Sequence, residues 1–260
     1  MRYLALFKAQ LKMRYIYLKR YYFDTLSMII TMFLVFLIIF YGAMALLGGA
    51  TPTNSGDTLE GIVVGFMVWT FALVAYANLS WGMIEEAQQG TLEQLYMSPL
   101  GFGWVNIFRV AANFIVNALM VIVVLLLMMA TTGKWLNLDV PSLIPLILLT
   151  VAGAYGIGFF MGGLALVFKR VQSALQVLQF VLVIFIAAPL GWLPFMKFLP
   201  LSLGTRLIGM VMIEERSLLQ LPPGDVLFLI GNSAFYFGLG FLIFKLFENV
   251  ARDRGLLGHY

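Results

Sequence analysis

Apolar residues run along this chain in long unbroken blocks, and polar residues gather in the gaps between them. Six blocks stand out: Thr25 to Leu47, Gly61 to Met83, Arg109 to Thr131, Pro141 to Phe168, Ala174 to Pro194 and Val226 to Lys245. A helix rises about 1.5 Å per residue, so about 20 apolar residues cross the roughly 30 Å of hydrocarbon in a bilayer. Backbone N–H and C=O groups find no water there and must pair within their own segment, which predicts a helix for each block. Barrel strands would alternate apolar and polar positions, and these blocks do not. The pattern predicts an all-α polytopic membrane protein with six transmembrane helices.

Two regions depart from that rhythm. Ahead of the first block, Leu4, Phe7, Leu11, Tyr15, Leu18 and Tyr22 recur at three- and four-residue steps, with Lys8, Lys12 and Lys19 along one edge. This predicts an N-terminal amphipathic interfacial helix over residues 1–24, either resting at headgroup level or serving as a lateral gate or docking helix beside the first span. Residues 195–225 contain an apolar run, Leu207 to Ile213, too short to cross, with Pro200, Pro222 and Pro223 around it. Outer re-entrant helices between spans five and six are the expectation, acting as a packing cap or as an outer gate. Residues 25–260 otherwise read as a single six-span transmembrane domain. Gly61 with Gly65, and Gly158 with Gly162, form two pairs that permit close helix contact.

Charge sets the orientation. Twelve of the 16 basic residues fall in the N-terminal arm, the second and fourth loops and the C-terminal tail, against four in the outer loops (Lys134, Lys197, Arg206 and Arg216). Positive residues are retained inside, so both termini are expected to be cytoplasmic, in an integral plasma (inner) membrane protein. That asymmetry accounts for the net charge of +4, and no nucleic-acid partner is expected. The first apolar run is too long for a signal-peptide core, so the first span is expected to remain in the product.

The inventory of reactive groups is short. Cysteine is absent, and the only histidine, His259, adjoins the C-terminus, so neither thiolate chemistry nor a histidine metal site is expected. No ionisable residue lies in the central portion of the six blocks, which disfavours a proton-coupled carrier, and no paired base or carboxylate is available for proteolysis at depth. No GxxxxGK[ST] phosphate loop is present. The chain is expected to hold no catalytic residue, no metal and no cofactor, and to draw energy from a partner.

A docking surface for that partner is suggested between the second and third blocks. Glu85, Glu86 and Glu93 meet no Lys or Arg until Arg109, so membrane retention does not explain the charge of this short cytoplasmic segment. Leu92, Leu95 and Tyr96 form the apolar side of a short predicted helix whose Glu93 would face a basic cleft, and Ser98 before Pro99 ends it. Glu86, Gly90, Thr91, Leu92, Glu93, Leu95, Ser98 and Pro99 together resemble the E-x-x-x-G-T-x-E-x-L-x-x-S-P signature of permease subunits of the second ATP-binding cassette exporter family. The resemblance extends over essentially the whole chain. It implies a cytoplasmic coupling helix over residues 84–100, with Glu85 and the signature residues contacting an ATPase. A second permease copy, most simply a homodimer, is implied, with ATP and Mg held by two separate ATPase subunits. Where relatives often carry Arg or Lys among the glutamates, this chain has Gln88 and Gln89.

Amides within the blocks are the candidates for a translocation path: Asn78, Asn113 and Asn117, and Gln172, Gln176 and Gln179 on one face of the fifth. They read either as hydrogen-bonding glue between helices or as the lining of an entry from the cytoplasmic side. Rival readings of the whole are an ATP-independent channel or lipid scramblase, or a membrane scaffold. The surrounding membrane lipid is a partner under all of them.

Overall fold

A computed structural model describes residues 2–46, 55–88, 102–168, 171–187, 190 and 194–253, and all regular structure among them is helical. In chain order the helices are α1 (Arg2–Arg20), α2 (Tyr22–Leu46), α3 (Ser55–Gln88), α4 (Phe102–Thr132), α5 (Val140–Phe168), α6 (Gln172–Ile186), α7 (Ser202–Met212) and α8 (Pro223–Asp253), with 3₁₀ turns at Pro194–Phe198 and Leu218–Gln220. Five of them, α2, α3, α4, α5 and α8, are long and apolar enough to cross a bilayer. This is the build of an all-α polytopic membrane protein.

The fifth predicted block is shorter than expected. Its helix covers 15 residues, about 22 Å at about 1.5 Å per residue, and closes where Ala187 N–H donates to the Val183 carbonyl at 2.9 Å. Apolar composition continues beyond this point, but Pro189, Gly191 and Pro194 interrupt it, and a proline offers no N–H to extend a helix.

Helix α5 is the centre of the bundle, packed between α3 and α8. Its glycines set that position. A Cβ on Gly156 would lie 2.2 Å from the Tyr236 carbonyl oxygen, and one on Gly240 would lie 2.0 Å from the Gly156 carbonyl oxygen. The two backbones therefore touch, as small residues allow in membrane helices. Seven residues along, Gly163 sits against Phe244 and Phe247, while Gly158 lies on the other side against Tyr76 of α3. Of the predicted glycine pairs, Gly158 makes such a contact and Gly65 meets the Ile186 side chain, but Gly61 has open space around it. Around this seam the Phe159 ring stands edge-on to Phe237 and Phe241, at centroid distances of 5.6 and 5.4 Å.

Pairings along α3 give the directions of its neighbours. Phe71 stacks on Phe114, and Gly82 lies beside Arg109, so α4 runs antiparallel to α3. Helix α6 does likewise: the Tyr76 hydroxyl donates to the Leu175 carbonyl at 3.0 Å, Trp69 Nε1 donates to the Gln179 carbonyl at 3.2 Å, and Gly65 meets Ile186. One end of the bundle thus gathers α1, the last turns of α3, α5 and α8, and the first turns of α4 and α6.

The opposite end is tied by the Lys134–Glu60 ion pair at 3.1 Å, by Asn137 N–H donating to the Met212 carbonyl, and by Leu218 N–H donating to Ser142 Oγ. Here the segment predicted as re-entrant folds inward. Helix α7 buries Leu203, Leu207, Ile208, Val211 and Met212, and its Gly204 presses on Thr150, well inside α5. The turn before it leaves carbonyls that need donors. Asn232 Nδ2 donates to Lys197 O, Tyr236 Oη to Phe198 O, and Ser202 Oγ to Met196 O and Leu199 O. Irregular backbone at depth is tolerated where protein donors satisfy it.

Helix α1 forms as expected but presents a different face. Leu4, Tyr15 and Tyr22 of the predicted stripe are exposed, whereas Gln10 is buried, at 8% exposure. The docking face is Tyr3, Phe7, Gln10 and Arg14. Tyr3 packs on Trp104 and Phe108, and Phe7 on Phe108, with ring centroids 5.4, 6.1 and 6.2 Å apart. Hydrophobic periodicity picks out an apolar surface without saying whether protein or lipid covers it.

Candidate functional site

Helix α3 does not stop at Met83. It continues to Gln88, with Ile84 buried, so Glu85 and Glu86 stand on its last turn and not in a loop, and the start of the predicted coupling element is the end of α3. Glu, Ala and Gln all favour helix, and no glycine intervenes between Gly82 and Gly90. At 34 residues the helix is about 51 Å long, exceeding the roughly 30 Å of hydrocarbon. Gly90, Thr91, Leu92, Glu93, Leu95, Ser98 and Pro99 lie outside the described residues. On their far side α4 opens at Phe102, seven residues before the predicted start at Arg109.

That earlier start changes the role of Arg109. Taken from the sequence as a loop cation, it lies inside α4 and is 7% exposed. Asn106, Arg109, Asn113 and Asn117 follow one another at three- and four-residue steps and make one polar row along α4. Asn106 and Asn113 are buried, at 0% and 3% exposure. Sequence reading singled out Asn113 and Asn117 and missed Asn106 and Arg109, although the same spacing continued backwards into them.

Helix α1, which packs along α4, carries the buried Gln10 and, one turn on, the half-buried Arg14. The Arg14 guanidinium is close enough to the Tyr155 hydroxyl to act on it electrostatically, and that hydroxyl donates to the Val110 carbonyl at 3.4 Å. A terminal nitrogen of Arg109 reaches α3 at Gly82, 4.0 Å from where a Cβ would stand. Several amide atoms here have no hydrogen-bond partner among the described residues: Gln10 Oε1, both polar atoms of the Asn106 side chain, Asn113 Oδ1 and Asn117 Nδ2. Each such buried group costs about 1–3 kcal/mol, so the junction of α1, α3 and α4 is not optimised for stability alone.

The path candidates on α4 and those on α6 belong to helices with different neighbours. Asn113 and Asn117 belong to α4, which packs on α1, α2 and α3, whereas α6 packs on α3 and α7. Gln172 and Gln176 are exposed on α6, and Gln179 is half-buried. Asn78 is helical within α3, and its side chain lies outside the described residues. Asn117 lines a cavity of about 20 Å³ with Thr70, Met28, Met32 and Val74, room for about one water molecule. A larger opening of about 380 Å³ lies at the opposite end of the bundle between α3, α6 and α7, lined by Gly61, Val64, Ile186, Ser202, Thr205 and Arg206.

Among the described residues no three His, Cys, Asp or Glu side chains gather as a metal site. The junction thus gathers two guanidinium groups and several amides on α1 and α4 beside α3. No protein-family model matches the chain, and no curated protein is significantly similar to it.

Proposed function

We propose that this chain is the membrane permease subunit of an ATP-driven exporter of the second ATP-binding cassette family, working with a second copy of itself and with separate ATPase subunits that hold ATP and Mg. One observation carries the reading: α3 is unbroken through Gln88 and α4 begins at Phe102, so the acidic signature is strung between the ends of two long helices of the core. A force applied to residues 89–101 enters both helices directly. Closure of the ATPase pair pushes on this segment, and α3 and α4 pass the movement to the bundle. Such coupling needs a contact free energy that differs between two states, which a docked segment under two ATPase arrangements supplies.

In this reading the chain has six spans, with α6 and the residues up to Pro194 as the fifth, and both termini cytoplasmic in the plasma membrane. Substrate leaves past α7, beside the opening that contains Arg206. The re-entrant α7 and the docked α1 support the family resemblance, as does a partner-facing segment in a chain without a phosphate loop.

The test is hydrolysis by the purified permease with its ATPase in lipid nanodiscs. Changing Leu92 and Glu93 together to Ala is expected to reduce substrate-stimulated hydrolysis to the basal rate. Undiminished stimulation refutes the coupling role, and steady transport by the chain alone, without nucleotide, favours a channel or scramblase.

A further inference from the structure

Helix α7 is too short to cross a bilayer, and its two faces differ in kind. Leu203, Leu207, Ile208, Val211 and Met212 are buried against the bundle. On the opposite face Ser202, Thr205, Arg206 and Gly209 follow at three- and four-residue steps, and all four border the opening of about 380 Å³ between α3, α6 and α7. Across from them the wall is apolar, with Val64 of α3, Ile186 of α6 and Leu190 beyond it. The size falls in the range of small-molecule sites. Glycine keeps the space open, since a Cβ on Gly61 or Gly209 would meet nothing within 4 Å.

Arg206 is the one charged side chain among the described residues of this lining, and it is exposed. It has no ion pair or hydrogen bond among the described residues. The nearest described carboxylates along the chain are engaged or lie beyond the lining: Glu60 pairs with Lys134 at 3.1 Å, Glu214 with Arg216 at 2.8 Å, and Glu215 is exposed past the end of α7. The neighbouring hydroxyls are committed to backbone. Ser202 Oγ donates to the Met196 and Leu199 carbonyls, and Thr205 Oγ1 to the Leu201 carbonyl at 2.8 Å. Donation to a ligand from this wall therefore falls to the guanidinium, whose fork of N–H groups matches the paired oxygens of a phosphate or carboxylate. A cation without a counter-ion, facing an apolar wall, is the complement of an anionic amphiphile.

We propose that this opening binds an anionic amphiphile, with its phosphate or carboxylate at Arg206 and its hydrocarbon against Val64, Ile186 and Leu190. The site needs only the packing of α3, α6 and α7. It extends the transport reading, and rests on that reading only where the bound molecule is the exported substrate.

Native mass spectrometry of the purified full-length chain in a neutral detergent, offered dodecyl phosphate and dodecyl glucoside in equal amounts, tests it. Dodecyl phosphate adducts are expected to exceed the glucoside adducts about tenfold, the factor that one charge-assisted hydrogen bond contributes. Arg206→Gln is expected to bring the two to parity, and Arg206→Lys to keep an excess. Gly209→Leu, which fills the opening, removes the adduct, whereas Gly231→Leu, at an equally uncrowded glycine of α8, retains it. Should Arg206→Gln fail to fold, the two leucine variants decide the matter. Equal adducts on the unchanged chain overturn the proposal, as does an excess that survives Arg206→Gln or an adduct that survives Gly209→Leu. Two further arms separate the sources of the ligand, and each positive result supports the site. Displacement of dodecyl phosphate by phosphatidylglycerol but not by phosphatidylcholine marks the occupant as a membrane lipid. Stimulated hydrolysis in the complex with the ATPase, lost in Arg206→Gln, marks it as exported substrate. Adducts without stimulated hydrolysis leave the site standing and count against the substrate assignment alone.

Discussion

Asn106 shows how a single residue can oppose the stability of its surroundings. It is fully buried, and neither polar atom of its side chain has a partner among the described residues. An apolar side chain of similar volume removes that desolvation cost, so Asn106→Leu is expected to stabilise the protein by about 1 kcal/mol, read as a higher temperature of aggregation in detergent. If the amide serves the coupling movement, the same variant loses substrate-stimulated hydrolysis while gaining stability. A destabilised variant would mean that Asn106 is held by contacts the packing does not reveal. Arg109, one turn away, marks the limit of reading from sequence. A charge beside an apolar block looks like the edge of a span, yet Arg109 is buried with its guanidinium against α3, and no property of residues 102–109 alone announces that neighbour.

At the scale of elements, α5 and α8 are joined where Gly156 and Gly240 bring two backbones together. Gly240→Ala places a methyl group against the Gly156 carbonyl, and the helices must part, at a cost of about 3 kcal/mol. The control is close at hand: a Cβ on Gly238 meets nothing within 4 Å, so Gly238→Ala is expected to leave stability unchanged or raise it by up to about 1 kcal/mol through helix propensity. Equal effects of the two would show that the helices do not cross here. A second pair of variants probes the broken backbone before α7. Asn232→Leu and Tyr236→Phe each strip a donor from a carbonyl of the Pro194–Phe198 turn or its flank, and each is expected to cost about 1 kcal/mol in thermal stability. The turn was legible as proline punctuation. The donors that α8 supplies were not, because they come from more than 30 residues away.

For the whole molecule, the directions of the helices put the outer turns and the N-terminal arm at opposite ends of the bundle. The chain has no cysteine, so Leu219→Cys and Arg252→Cys can each carry the only thiol. In sealed vesicles a membrane-impermeant maleimide is expected to label them from opposite sides. Labelling of both from one side would overturn the arrangement of spans proposed above.

Composition and periodicity were enough to establish a helical, multi-pass build, because a backbone in hydrocarbon must satisfy its own hydrogen bonds within each segment. That requirement is local, so it is written in consecutive residues. The prolines around 195–225 marked the breaks in helix there for the same reason. Which side of α1 faces protein, where α6 ends, that Arg109 is enclosed, and that Gly156 and Gly240 touch all depend on the surface a neighbouring helix offers. The amides of α4 and α6 illustrate the difference: their spacing along each helix was plain in the chain, but their separation across α3 arose only when the bundle was assembled.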